Sequence, residues 1–307
     1  MSAAPRVKPE AFFTPEQWAN LSARSSWRGL AMVAHCWLCI ALAMAVGVHW
    51  PLAIPLVVVF IGNRQLGLFI LMHDAAHAAL HKHRGVNDWV GKWLCGYDLD
   101  RYRPYHLQHH RFVQQTEDPD LVLSAPFPVT PTSLRRKMLR DLTGQTFYKQ
   151  RIEPLAHKLI RRPQGTPLRA VLATELQQNG MFWIGNVLGC VLFSAAGLGS
   201  TWVLMWLLPM ATWLPLISRL RNISEHALVA RNEPDPLRHA RTTHANLLER
   251  LLIAPYWVNY HCEHHMFTHI PCWNLPKAHR LLAQQGVTTR METQPGYWRM
   301  MQRAAAG

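Results

Sequence analysis

Histidine dominates the chemistry this sequence could perform. The runs His73-Asp-Ala-Ala-His77, His106-Leu-Gln-His109-His110 and His261-Cys-Glu-His264-His265 each set imidazoles three or four residues apart. On an α-helix such residues share a face, so each run can aim several nitrogen donors in one direction. A lone helical histidine is ordinarily structural or solvated, but three spaced clusters, drawn from 18 histidines in 307 residues, are not explained that way. Imidazole suits iron, zinc, copper and nickel, whereas magnesium and calcium take oxygen ligands. The clusters hold twice the donors of a tetrahedral zinc site, which favours two metals of higher coordination number with positions left open.

Carboxylates stand close to these clusters in the chain: Asp74, Asp118, Asp120, Glu225 and Glu263. A carboxylate that accepts the free N–H of a ligating imidazole fixes its tautomer and raises its basicity. Each could equally be a helix cap or a solvated charge. Pro104, two residues before the second cluster, suits a helix start, where its missing donor does no harm. His81, His83, His157, His239, His244, His269 and His279 fall outside the spacing and are expected to lie outside the metal set.

The elements that must position the clusters are apolar. Hydrophobic residues make up 49% of the chain and charged residues 16%, with 13 tryptophans. Four segments, Trp27 to Trp50, Pro51 to Met72, Met181 to Leu198 and Thr201 to Leu220, approach the ~20 residues a helix needs to cross a bilayer. They come in two pairs, joined by His49-Trp50-Pro51 and by Gly197-Leu198-Gly199-Ser200, and neither join carries a Lys or Arg. Every Lys and Arg but Arg64 falls at or beyond the opposite ends of these segments, the side that the positive-inside rule assigns to the cytoplasm. All three histidine clusters fall on that side too. The net charge of +14 is thereby explained by membrane topology, and nucleic acid is not expected as a partner.

The expected fold is therefore an all-α membrane protein: four transmembrane helices in two hairpins, with a cytoplasmic helical cap holding the metal site, as a single domain over residues 1–307. The residues through Arg24 lack the basic-then-apolar design of a signal peptide and read as an amphipathic cytoplasmic lead-in. Six scattered cysteines suggest free thiols, and the Cys36-x-x-Cys39 pair lies in an apolar stretch that points to packing. Arg64, between Asn63 and Gln65, is the one charge inside a span, a candidate for a substrate or tunnel contact or for an interhelical hydrogen bond.

At the histidine clusters the chain resembles the membrane-bound fatty acid desaturases and their hydroxylase relatives, which carry three such boxes in this order. The likeness extends through Thr116-Glu-Asp-Pro-Asp120, Asn259-Tyr-His-Cys-Glu-His-His265 and Leu275-Pro-Lys-Ala-His279, covering roughly Arg64 to His279. Within Arg221-Asn-Ile-Ser-Glu-His226, the resemblance implies a ninth ligand, His226, and an approach of Asn222 to one metal through water. It further implies two iron ions, O2 as co-substrate, a lipid or acyl substrate in an apolar tunnel, and electrons from an external ferredoxin or b-type cytochrome. The site would face the cytoplasm from a multi-pass protein of a bacterial inner membrane. Arg140-Asp-Leu-Thr-Gly-Gln145 is similar to the subgroup that desaturates small amino-acid-derived toxins and to its fatty acid relatives. A hydroxylase or ketolase on the same scaffold, a non-catalytic metal-binding membrane protein and a zinc hydrolase remain alternatives.

Overall fold

The computed structural model describes residues 3–96 and 98–307. A short helix, α1 (Pro15–Ser22), starts at a reciprocal cap in which Thr14 Oγ1 accepts from Gln17 N and Gln17 Oε1 accepts from Thr14 N. Two long apolar helices follow, α2 (Arg28–His49) and α3 (Ile54–Ala76), joined by a tight turn at Pro51–Ala53 and packed along each other. Next come α4 (Arg84–Trp93), α5 (Leu99–Phe112), α6 (Pro131–Leu142) and α7 (Leu168–Ala195). The last apolar run, Gly199–His226, winds through a π-helical turn at Val203–Leu207 and ends in α8 (Trp213–His226).

Among the described residues three helical runs are long and apolar enough to cross a membrane: Arg28–His49, Pro51–Ala76 and Gly199–His226. Met181 to Leu198, expected as a fourth, is the second limb of α7, which kinks at Asn179. Asn186 lies within this limb, and Gln177, Gln178 and Asn179 dilute the apolar character of α7 just before it. The expectation of an all-α chain also needs amendment. Strand β1 (Arg241–Thr243) pairs in parallel with β2 (Glu292–Gln294), tying together α9 (His261–Met266), α10 (Leu275–Gln284) and α11 (Tyr297–Ala304).

Helix α3 lies at the centre, buried from Ile61 to its end apart from the half-buried Phe69. Its glycines permit close approach, for a Cβ on Gly62 would stand 2.7 Å from the Trp213 ring and one on Gly67 2.8 Å from Tyr256. Its polar residues have partners within the protein. Gln65 Nε2 donates to Trp206 O at 2.8 Å, while Arg64 hydrogen-bonds Asn63 and sits over the rings of Phe60 and Tyr256. Pro104, expected at a helix start, instead lies inside α5, because Asp98 caps that helix earlier by accepting from Arg101 N at 3.2 Å.

Residues near both ends of the described chain are held in place. Ala4 N donates to Arg111 O at 2.8 Å, and Gly307 N to Val129 O at 3.2 Å. Phe13 and Leu21 pack beneath Phe267, Leu275 and Leu282, while Met300, Met301 and Ala304 pack on Leu134 and Ile223. All six cysteines are free thiols.

Candidate metal centre

The three boxes and His226 meet in two groups. His73, His77, His106, His110 and His264 form one; His109, His226, His261 and His265 form the other. The helical spacing explains the division and refines the expectation of one shared direction. Residues four apart stay in one group, as with His106/His110 and His261/His265, whereas the intervening His109 and His264 turn to the opposite one. An H-x-x-H-H run thus serves two positions at once.

Within the five-imidazole group, Nε2 of His106 lies 2.9 Å from that of His77 and 3.0 Å from that of His110, which lies 3.1 Å from that of His264. In the four-imidazole group, Nε2 of His261 lies 2.9 Å from His226 and 3.2 Å from His265, and His109 lies 3.3 Å from His265. Metal–nitrogen bonds of about 2.1 Å at right angles would put their nitrogens about 3.0 Å apart. Both ring nitrogens of His73 are buried without a hydrogen-bond partner. Such orphaned atoms cost roughly 1–3 kcal/mol each unless something binds them. The donor set therefore fits metal ions.

Electrostatics agree. Burial, reinforced by neighbouring imidazoles, holds His77, His106, His110, His261, His264 and His265 well below the usual histidine range, in the neutral form that ligation requires. His109 departs from this pattern. Burial lowers it too, but the hydrogen bond to Asp118 and the charges of Asp120 and Asp118 raise it above the usual value.

The nearby carboxylates divide by geometry. Asp118 Oδ1 lies 2.8 Å from His109 Nδ1 and is itself held by the backbone N–H of Asp120, while Oδ2 accepts from Gln114 N. Asp120 stands 3.7 Å from the same Nδ1 and accepts the Tyr105 hydroxyl. Asp74 and Glu263 do not hydrogen-bond the clustered imidazoles. Asp74 is 3.8 Å from His73 Nδ1 and accepts from Cys272 N at 2.9 Å. Glu263 turns away to Thr242 and His279, anchoring the third box to β1 and α10. Glu225 Oε2 stands 3.5 Å from Nε2 of His261.

His226 closes α8. The Arg241 guanidinium donates to Ser224 O and Ala227 O at 3.1 and 2.9 Å, and Gln114 Nε2 to His226 O at 3.0 Å, satisfying carbonyls that a helix end leaves open. One turn earlier, Asn222 lines a cavity of about 350 Å³ shared with Tyr102, Phe147, Phe182, Met210 and Leu214. Tyr102 stacks on His106, with centroids 5.0 Å apart and planes at 12°, so this cavity reaches the edge of the five-imidazole group. Arg64 lies elsewhere, among Phe60, Asn63 and Tyr256. Tyr102 was not singled out in the sequence, although its place four residues before His106 is a helical-face signal. On the other side a smaller cavity, about 170 Å³, touches His110 and His265; His265 is the one member of the nine that is only half-buried.

Comparison with known proteins now bears on this geometry. The family model for fatty acid desaturases matches residues 48–295. The chain belongs to the fatty acid desaturase family. It is 28% identical over 243 residues to dihydrorhizobitoxine desaturase from Bradyrhizobium elkanii, covering 75% of this chain and 68% of that one. An sn-1 oleoyl-lipid 12-desaturase from Arthrospira platensis is 26% identical over 260 residues, 80% of this chain and 71% of the relative. A β-carotene ketolase from Paracoccus sp. (strain PC1) is 25% identical over 229 residues, 70% and 75% of the two chains. Membership of this family, with three apolar helical runs, supports an oxidoreductase associated with a membrane.

Proposed function

We propose that this chain is an O2-dependent di-iron desaturase that places a double bond in a fatty acyl or other lipid-like chain. The carrying observation is the pair of imidazole groups, five and four, beside an aromatic-walled cavity. The nine histidines would be the ligands, with Asn222 and the carboxylates around them in supporting roles. Iron, when bound, would supply the oxidising power that no side chain has. O2 accepts four electrons in becoming two waters: two leave with the two substrate hydrogens, and two come from an external ferredoxin or b-type cytochrome.

The chain's own residues define where that happens. Tyr102 forms the wall between cavity and imidazoles, so a methylene seated against it would lie beside the five-imidazole group. Asp118 holds the His109 ring in one orientation and keeps its Nδ1 proton, leaving Nε2 free to ligate. Misplacement of about 1 Å can cost about 10²-fold in rate, so the walls would set which carbon reacts.

We further read the second limb of α7 as the fourth span of two hairpins within one domain. Its exposed Ile184, Val187, Leu188, Val191 and Leu192 support this, as lipid-facing residues would. The bias of Lys and Arg supports a cytoplasmic site in a bacterial inner membrane. Purified protein with iron, O2 and a competent reductant should convert an acyl lipid to a product two hydrogens lighter. Loss of all such conversion with two irons bound would end this reading. The ketolase relative favours a second reading, a hydroxylase or ketolase, which ¹⁸O from O2 appearing in the organic product would reveal. About one zinc and no iron per chain would point to a hydrolase instead.

A further inference from the structure

The two imidazole groups are unequal. One has five nitrogen donors and the other four, and beside the smaller group lies a carboxylate with no hydrogen-bond partner. Glu225 is only 2% exposed and both of its oxygens are buried and unpartnered. A buried carboxylate without hydrogen bonds is costly unless cations meet it. Arg221 Nη2 forms an ion pair with Oε2 at 3.5 Å, so one cation already faces the carboxylate, but at a distance longer than a good hydrogen bond.

The side from which Glu225 approaches His261 is informative. A carboxylate that orients a ligating imidazole bonds its rear nitrogen, as Asp118 does with His109 Nδ1. Glu225 Oε2 instead stands 3.5 Å from His261 Nε2, the nitrogen that faces His226 and His265, while His261 Nδ1 has no partner at all. The oxygen is therefore on the metal-facing side of His261, just outside the set of four imidazole nitrogens that lie within 4.8 Å of one another.

We propose that Glu225 is a fifth donor to the four-imidazole group, binding its metal directly through a carboxylate oxygen. The inference rests on reading the nine imidazoles as a two-metal set. It makes the two positions equal in donor number and different in kind: five neutral nitrogens on one side, four nitrogens and an anionic oxygen on the other. Hard anionic oxygen favours a more highly charged ion than imidazole alone, so the two metals would differ in how readily each is oxidised.

The test counts metals without using turnover. Detergent-purified, metal-stripped protein is titrated with Co(II), and bound metal and carboxylate infrared bands are followed with ¹³C-carboxyl-labelled glutamate. The wild-type chain should take two cobalt ions, and the second should shift a labelled carboxylate band. Glu225→Gln, which preserves shape and removes the charge, should weaken one of the two sites about 100-fold or more and abolish that band shift. Glu225→Asp should restore part of the affinity, and Asn222→Ala should leave the band shift in place. Two sites of unchanged affinity in Glu225→Gln would overturn the proposal. So would wild-type protein that binds two ions with no glutamate band moving, a result that stands even if the variant fails to fold. Wild-type protein that binds fewer than two ions would instead overturn the two-metal reading beneath it.

Discussion

Helices α3 and α7 have similar lengths, 23 and 28 residues, yet opposite surroundings. From Ile61 onward α3 is walled in by protein, and it delivers His73, with His77 just beyond its end, to the imidazole cluster. Among the described side chains of α7 only Glu175 and Gly180 are buried, and the apolar limb beyond its kink points outward. Hydropathy alone therefore cannot separate a helix that aims ligands from one that meets the surrounding medium. Polar residues with partners inside the protein interrupt both runs, Arg64, Gln65 and Asp74 on α3 and Glu175 and Asn186 on α7, so what separates the helices is the burial of the apolar residues between them.

The comparison breaks first at His73. His73→Ala should reduce product formation to background and lower bound metal, while membrane insertion persists; normal metal content by elemental analysis would show that α3 aims nothing at the site. Acid should act next. Unfolded histidines take up protons near pH 6.5, whereas His77, His106, His110, His261, His264 and His265 resist doing so in the folded chain. Below that pH the unfolded state binds more protons, so metal-free protein should lose stability steadily as pH falls from 7 to 5. Thermal unfolding in detergent checks this, and a flat profile would mean the imidazoles are freely solvated.

Glycine substitutions sharpen the contrast on a finer scale. Gly62→Ala on α3 would drive its methyl into Trp213 and should cost about 1–3 kcal/mol, read as a lower denaturation midpoint. Gly185→Ala on α7 meets nothing within 4 Å and should be neutral or stabilise by up to about 1 kcal/mol through helix propensity. Equal penalties at the two positions would erase the distinction between the helices.

The histidine boxes were legible because a metal set needs a fixed donor type at helical spacing, and spacing is written in the chain. The first hairpin was legible because its apolar runs are long, with Asn63, Arg64 and Gln65 the one polar break across the middle of the second. Met181 to Leu198 was harder, since it continues a longer helix that kinks at Asn179 and whose first limb carries polar residues. Neighbours on a helix diverge by about 100°, which is how Glu263, beside His264 in sequence, comes to face Thr242 and His279, whereas Asp74 stays within 3.8 Å of His73. Asp118 lies in a loop beyond α5, and only such a return of the chain brings it behind His109. The union of Glu263 with Thr242 and His279 spans too much sequence for any local pattern to announce it.

The anchoring of Ala4 beside the second box and of Gly307 beside Val129 has a practical corollary. Terminal residues usually fray, and shortening them is usually harmless. Here trimming from either side would peel away packing that braces the histidine-bearing helices α8 and α9, so deletion variants would register as damage to the centre before any long helix is lost.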